Sequence, residues 1–264
     1  MKTIYLLTTG KGWESFNYDS ENIKSELEKR NIIIEYGATI GDCAKIGDGA
    51  EIGDCATIGN DAKIGDGAKI GDCAKIGDWA KIGNRATIGY RATIGDCAKI
   101  GHDATIGDWA EIGDGATIGD WAKIGDCATI GDDATIGYGA TIGHDAKIGD
   151  GAEIGDCATI GNWAKIGDCA KIGYRATIGY RAKIGDGAKV KTLFITGSLH
   201  AVNWYGTEIM HIGCHKKEIS WWKKNYKLMG EKEGYSEDEI KEYYQYILIC
   251  EKLYKSGNLK TPKS

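Results

Sequence analysis

Isoleucine occupies every sixth position of the chain from Ile40 to Ile184, and each is followed directly by glycine and, four positions later, by alanine. A looser unit at residues 34–39 precedes this series, and a degraded unit at residues 190–195 follows it. A self-similar period of this kind outranks local propensity in predicting structure. The chain is therefore predicted to be a repeat protein over more than half of its length.

Within each unit, the alanine and the isoleucine of the next unit flank one variable residue, which is Lys, Thr or Glu. Successive side chains of a strand point to opposite sides, so the two apolar residues face inward together and the variable residue faces outward. The intervening positions, as in Gly41-Asp42-Cys43, combine glycine with turn-forming residues and predict a backbone bend. A short strand followed by a corner, repeated without interruption, must coil.

The tandem pattern Ile-Gly-X-X-Ala-X resembles the hexapeptide repeat of the left-handed β-helix family, in which three units make one triangular coil. The resemblance implies an all-β solenoid, specifically a left-handed parallel β-helix of about nine coils over residues 34–195. Residues eighteen apart would then lie one above another, about 4.8 Å apart.

Both ends of such a stack are open sheet edges that invite polymerisation, so caps are expected. Residues 1–33 predict a small N-terminal α/β cap with a strand over Thr3–Thr8, a loop through Gly10 and Gly12, and a helix from about Ser20 to Arg30.

Residues 196–264 predict a C-terminal cap of β-strands and two helices. Strand-like pieces cover residues 193–196, 201–205 and 208–212, and two helical patterns follow them. Ser236 and Glu239 predict a capping box at the start of the second helix. Around Ile212-Gly213-Cys214 and Trp221-Trp222 this module resembles C-terminal segments of uncharacterised phage and prophage hexapeptide-repeat proteins, which implies a biological context and no particular chemistry.

The net charge of −5 provides no general attraction to nucleic acid or to an acidic membrane surface. The N-terminal apolar run is too short for a signal peptide, and no stretch approaches a membrane span. Among the cysteines of the repeat, only Cys55 and Cys73 differ by eighteen, which argues against a disulfide framework. The expected location is the cytoplasm or, for a virus-encoded protein, the virion.

The family resemblance raises the possibility of catalysis, because many hexapeptide proteins are trimeric acyl- or acetyltransferases with a histidine base at the cleft between subunits. The repeat contains two histidines, His102 and His144, both at the third position of a unit. The repeats contain no loop insertion that would build a pocket. The sequence alone therefore favours neutral drift at a solvated corner, with an acyl-CoA-dependent acyltransferase as the alternative.

His211, Cys214 and His215 form a second cluster, with His200 nearby in sequence. Imidazole and thiolate groups bind zinc, but structural zinc sites usually take ligands from two separated segments, and here there is one. A strand-to-helix junction with one buried cysteine is the simpler interpretation. No metal and no cofactor are expected.

Aspartate and asparagine form a column at every eighteenth position from Asp42 to Asp186, beside a column of lysines that begins at Lys45. Stacked like charges repel by roughly 1 kcal/mol per pair in water, so the lysines are interpreted as counterions to the aspartates. Where the lysine column stops, five acidic side chains form a possible edge for a cation or a basic partner. They are Asp114, Asp132, Asp133, Asp150 and Glu153.

Large aromatic residues also occupy corner positions, where they are expected to be exposed. They are Trp79, Trp109, Trp121 and Trp163, with Tyr90, Tyr174 and Tyr180, each of these tyrosines followed by arginine. Exposed tryptophan is unusual, and Trp, Tyr and Arg are the residues enriched at binding hot spots. They predict a surface for a protein or glycan partner, or for a sister chain in a homotrimer.

The sequence predicts a non-enzymatic structural or interaction protein that is phage- or prophage-associated and trimeric like its family, with direct nucleic-acid binding not expected. The first alternative is a trimeric acyl- or acetyltransferase. The second alternative is an acidic surface that mimics nucleic-acid phosphates and inhibits a nucleic-acid-binding protein.

Overall fold

The computed structural model describes residues 2–8, 11–190, 193–204 and 208–256. These form a parallel β-solenoid of about nine turns, with strands and a helix at the N-terminal end and a small sheet with two helices at the C-terminal end. The predicted fold class is therefore confirmed.

Each turn of the solenoid contributes one short strand to each of three parallel sheets, called here faces 1, 2 and 3. The strands of face 1 are Ala44–Ile46, Lys63–Ile64, Lys81–Ile82, Lys99–Ile100, Thr117–Ile118, Thr135–Ile136, Glu153–Ile154, Lys171–Ile172 and Lys189–Val190. Those of face 2 are Ile33–Ile34, Glu51–Ile52, Lys69–Ile70, Thr87–Ile88, Thr105–Ile106, Lys123–Ile124, Thr141–Ile142, Thr159–Ile160 and Thr177–Ile178. Those of face 3 are Thr39–Ile40, Thr57–Ile58, Lys75–Ile76, Thr93–Ile94, Glu111–Ile112, Thr129–Ile130, Lys147–Ile148, Lys165–Ile166 and Lys183–Ile184.

The register of the stack follows the eighteen-residue period, as in Lys81, which pairs with Lys63 on one side and Lys99 on the other. The isoleucines from Ile46 to Ile178 are at most 3% exposed, so they form one continuous apolar column with the alanines. Burial of two apolar side chains in every unit is thus what closes the coil.

The glycine at the second position of each unit has a different role from the one predicted. It was expected to provide the backbone bend, but the left-handed residue of the corner is the fourth one, as in Cys97 with φ 59°. A Cβ added to Gly119 would lie 2.7 Å from the carbonyl carbon of Gly137 and 2.7 Å from the nitrogen of Tyr138. Glycine is therefore required because the backbone of the next coil passes too close for a side chain.

The N-terminal segment extends face 1 and covers the first coil. Strand β1 (Thr3–Thr8) pairs in parallel with Ala44–Ile46, and β2 (Gly12–Asn17) pairs antiparallel with β1 at the outer edge. The sequence predicted β1 correctly, but it predicted a loop where β2 lies; Gly10 is outside the described residues. Helix α1 (Ile23–Lys29) is shorter at both ends than the helix predicted from the sequence.

The C-terminal module contains a four-stranded antiparallel sheet and two helices with a core of their own. Its strands, numbered β30 to β33 after the twenty-seven of the three faces, are Leu193–Thr196, Ala201–Trp204, Ile209–Ile212 and His215–Glu218. The last of these was missed by the sequence analysis, and the strand end predicted at Tyr205 lies outside the described residues. The helices are α2 (Ile219–Lys232) and α3 (Glu237–Ser256).

Helix α3 begins with the predicted capping box. The backbone N–H and the hydroxyl of Ser236 both donate to Glu239 Oε2, at 2.7 and 2.8 Å, and the Glu239 N–H donates back to Ser236 Oγ at 3.3 Å. We expect Ser236→Ala to lower the free energy of unfolding of the C-terminal module by about 1 kcal/mol. Urea unfolding followed by circular dichroism measures this loss. A matched Ser220→Ala variant, whose hydroxyl contacts only Glu218, should change stability by much less; equal losses would contradict the capping assignment.

All nine cysteines are free thiols in this structure, including Cys55 and Cys73. Within the described residues, no helix is long and apolar enough to span a membrane.

Candidate functional site

The third position of each unit forms a hydrogen-bonded ladder along each edge of the prism. The side-chain acceptor of one coil receives the backbone N–H of the residue eighteen positions earlier, as in Asp78 to Asp96 at 2.8 Å and Asp66 to Asn84 at 3.1 Å. Asp and Asn recur at this position because they satisfy corner amides that the strands leave unpaired. The column was predicted as a row of charges, whereas it is first of all a row of acceptors.

Both repeat histidines take part in this ladder, in the same acceptor role as the aspartates and asparagines. His102 lies on the edge between faces 1 and 2, and its Nδ1 accepts the Asn84 N–H at 2.9 Å. His144 lies on the edge between faces 2 and 3, and its Nδ1 accepts the Asp126 N–H at 3.0 Å. The two edges are named the His102 edge and the His144 edge below.

The two histidines differ in the residue that stacks beneath each of them, eighteen positions earlier in the chain. His144 Nδ1 lies 3.4 Å from Asp126 Oδ2, whereas the corresponding neighbour of His102 is Asn84, which has no carboxylate. The nearby carboxylate of Asp103 is already bound by both Arg85 Nε and Nη2, and this hydrogen bonding lowers its pKa. Of the two histidines, His144 is therefore the one with a carboxylate of the preceding coil beside its Nδ1.

This difference decides which histidine is suited to general-base chemistry. A neutral imidazole has one N–H and one lone pair, so a ring that accepts an amide proton at Nδ1 keeps its proton on Nε2. A carboxylate beside Nδ1 stabilises the other tautomer, in which Nε2 has the lone pair that a base needs. In this structure both rings accept an amide N–H at Nδ1, but Asp126 Oδ2 lies 3.4 Å from His144 Nδ1 and offers His144 the alternative partner, and the two side chains are 55% and 53% exposed.

The acidic edge, between faces 3 and 1, differs from its prediction in two respects. The Oδ1 atoms of its aspartates accept the backbone N–H groups of the ladder, and in the described residues no ion pair joins these aspartates to the lysine column. Glu153 is not uncompensated, because Lys171 Nζ lies 2.6 Å from its Oε1. Within the same residues, no group of three or more metal-ligating side chains is present, so the cation interpretation has no support. A basic partner for Asp114, Asp132, Asp133 and Asp150 remains a prediction.

The aromatic corner residues are exposed, as the sequence predicted. Trp79 is 60% exposed, and the other three tryptophans, Trp109, Trp121 and Trp163, are 51–54% exposed. Each of the three predicted tyrosines lies beneath the guanidinium of the arginine that follows it, at 5.0–5.1 Å from ring centroid to guanidinium carbon, as with Tyr174 and Arg175.

Tyrosine at the third position interrupts the ladder, because its phenol oxygen does not reach the amide of the coil below. Within the described residues, the side-chain acceptor is missing at Tyr90, Tyr138, Tyr174 and Tyr180, while the steps from Asp42, Asp48 and Asp54 onward that end in Asp, Asn or His are made. In the sequence these interruptions are visible as four tyrosines at the third position, where the other regular units have Asp, Asn or His.

The residues of the alternative zinc interpretation, which the sequence analysis did not favour, are not assembled around one point. His211 is on β32 and partly buried, and this burial lowers its pKa, with Lys216 adding to the effect. His215 pairs with Glu233 at 3.2 Å, and Cys214 is exposed in the turn. His200 instead forms a 2.6 Å hydrogen bond between its Nδ1 atom and the Tyr235 hydroxyl. Burial raises the pKa of Tyr235 to about 12.

The coil, its stacked faces and its corner chemistry define the repeat region as a hexapeptide-repeat left-handed parallel β-helix. The profile of the family described as bacterial transferase hexapeptide (six repeats) matches residues 55–96, 91–126 and 127–162. The resemblance to this family drawn from the repeat is therefore confirmed, and no curated protein matches the chain in sequence.

Two solved structures share the architecture beyond the repeat. The chain is similar to the UDP-N-acetylglucosamine O-acyltransferase LpxA of Moraxella catarrhalis RH4, with 22% identity, a TM-score of 0.56, and 88% of this chain and 86% of that chain covered. It is also similar to LpxA of Bacteroides fragilis 9343, a UDP-N-acetylglucosamine acyltransferase, with 18% identity, a TM-score of 0.57, and 88% and 91% covered. At these identities the likeness shows the fold.

The prediction of a non-enzymatic scaffold is wrong. The repeats match a bacterial transferase family, and this match favours the first alternative. The sequence argument failed because it required a loop to build a pocket within one chain, whereas a cleft between chains needs none. Neither similar structure is described as a phage protein, so the phage association stays a prediction.

Proposed function

We propose that the chain is an acyltransferase of the hexapeptide class, which transfers an acyl group from a thioester to a hydroxyl group of its acceptor. The observation that carries the proposal is the His144–Asp126 pair on a transferase-type β-helix. The architecture shared with two UDP-N-acetylglucosamine acyltransferases supports a nucleotide-sugar as the acceptor.

His144 acts as the general base in this proposal. For this chemistry the His144 ring releases the Asp126 N–H and donates an Nδ1–H to the Asp126 carboxylate instead, and the Nε2 lone pair then removes the proton of the acceptor hydroxyl while its oxygen attacks the thioester carbonyl. The C–O bond of the ester forms, the C–S bond breaks, and the imidazolium returns its proton to the departing thiolate. Asp126 orients the ring and stabilises the imidazolium, and it keeps its own charge throughout.

The reaction takes place in a homotrimer, because one chain leaves His144 open to solvent. A side chain that is 55% exposed cannot exclude water from a thioester, and a second β-helix lying along the His144 edge would cover it. The scattered free thiols of the repeat suit a reducing compartment, so we place the reaction in the cytoplasm. Light scattering on the purified protein should give the mass of three chains.

The test is a matrix of thioester donors and hydroxyl acceptors. Acetyl-, octanoyl- and palmitoyl-coenzyme A and the corresponding acyl carrier protein thioesters are incubated with the protein and with UDP-N-acetylglucosamine, UDP-glucose or N-acetylglucosamine. The released thiol is measured. We expect release that requires both the protein and an acceptor. Release that is absent for every pair, with a trimeric and folded protein, would contradict the proposal.

A further inference from the structure

Tyr90, Arg91 and Trp109 form a cluster of side chains on the His144 edge. Tyr90 interrupts the acceptor ladder, so the amide of Asp72 loses a hydrogen bond that most other corners make. Arg91 and Trp109 occupy the fourth position of their units, and their φ of 53° and 59° are those of the other corners, so the backbone here follows the repeat. What distinguishes this corner is that two aromatic rings and a guanidinium meet at it.

The two rings hold the guanidinium of Arg91 in place. Its carbon lies 4.7 Å from the centroid of the Trp109 ring and 5.1 Å from that of Tyr90, and the two rings meet edge to face at 5.9 Å. At the other Tyr-Arg corners the guanidinium has one aromatic contact. Arg91 is therefore restrained before any ligand binds, which lowers the entropy cost of binding.

The N–H groups of Arg91 have no hydrogen bond or ion pair within the described residues, in contrast to Arg85, which is bound by Asp103. The neighbouring carboxylates of Asp72 and Asp108 each already accept a backbone N–H, at 2.9 and 2.8 Å. An immobilised guanidinium with unused donors is suited to bidentate binding of a phosphate.

We propose that this corner binds a nucleotide, with a phosphate on Arg91 and the base stacked on the open surface of Trp109. The indole is 51% exposed, and an aromatic base is the ring that stacks on it while remaining joined to a phosphate. This proposal rests on the proposed function in one respect, which is that the ligand is taken to be a nucleotide. The same chemistry is present in a nucleotide-sugar acceptor and in the adenosine diphosphate part of coenzyme A.

Binding is measured by calorimetry without any acyl donor, so the result does not depend on turnover. The probes are UDP, ADP, coenzyme A and inorganic pyrophosphate. Arg91→Gln should weaken all of them by about tenfold or more, because each loses a charged pair. Trp109→Leu should weaken the nucleotides and leave pyrophosphate unchanged. UDP bound more tightly than ADP and coenzyme A identifies the acceptor as the source, and the reverse order identifies the donor.

Arg181→Gln is the matched control, because Arg181 lies on the same edge and contacts a single ring, Tyr180. It should bind all probes like the unchanged protein. Equal affinities of the Arg91→Gln variant and the unchanged protein would overturn the proposal, as would failure of every probe to bind at millimolar concentration. An Arg91→Gln variant that dissociates into single chains would also overturn it and assign the corner to the contact between chains. A protein that binds UDP but transfers no acyl group would refute the proposed function alone.

Discussion

Replacing His144 by asparagine is expected to lower the rate of acyl transfer by a factor of about 100 to 10,000, the usual contribution of a general base. Asparagine keeps the structural role of this residue, because Asn162 occupies the same column and accepts the His144 N–H at 3.1 Å. The substitution therefore removes the basic nitrogen and preserves the ladder. Initial rates of thiol release at saturating donor and acceptor measure the effect.

His102→Asn provides the matched control for this prediction. It replaces a histidine at the same position of the repeat, where Asn84 below offers no carboxylate, and its rate should stay within about twofold of the unchanged protein. Both variants should melt at the temperature of the unchanged protein. A rate for His144→Asn equal to that of His102→Asn would show that His144 is a ladder residue only. Asp126→Asn should lower the rate as well, because the Nδ1–H tautomer loses its stabilising charge.

Gly119→Ala is expected to lower the free energy of unfolding by about 3 kcal/mol, the upper part of the usual range for overpacking. The three atoms nearest to the added methyl group would be backbone atoms of Gly137 and Tyr138, at 2.7–2.9 Å. This backbone is hydrogen-bonded to the next coil, so it cannot move aside cheaply. Urea unfolding monitored by circular dichroism gives the size of the loss.

Gly185→Ala tests the same substitution at the same position of the repeat without the clash. It lies in the last coil, where a Cβ would have nothing within 4 Å. Alanine also restricts the unfolded chain, so this variant should be unchanged or more stable by about 0.5 kcal/mol. Opposite signs at the two positions would establish close stacking as the reason for glycine. Similar losses at both would instead favour the backbone bend that the sequence suggested.

The period of six was sufficient to predict the solenoid because it fixes which side chains face inward at every turn. The capping box at Ser236 was equally readable, since its two residues interact within one turn of helix. Strand β2 and strand His215–Glu218 were not predictable in this way. Their sequences are polar or mixed, and they form strands because a neighbouring strand offers an unpaired edge.

The sequence identified the two candidate histidines but did not by itself show which of them is suited to catalysis. His102 and His144 look equivalent when units are compared side by side, because both occupy the third position. Counting back eighteen residues separates them, since it places Asp126 beneath one and Asn84 beneath the other. What sequence could not provide is the hydrogen-bonded ladder itself, which depends on the distance between coils and explains why acceptors recur at that position.

The most direct test of the central claim is the mass of the acceptor after incubation with the unchanged protein and a thioester donor. Thiol release alone would also result from hydrolysis, whereas the mass shows where the acyl group has gone. The account predicts an acceptor heavier by one acyl group with the unchanged protein and with His102→Asn, and almost none with His144→Asn. An acceptor of unaltered mass in all three samples, with the thioester intact or merely hydrolysed, would contradict it.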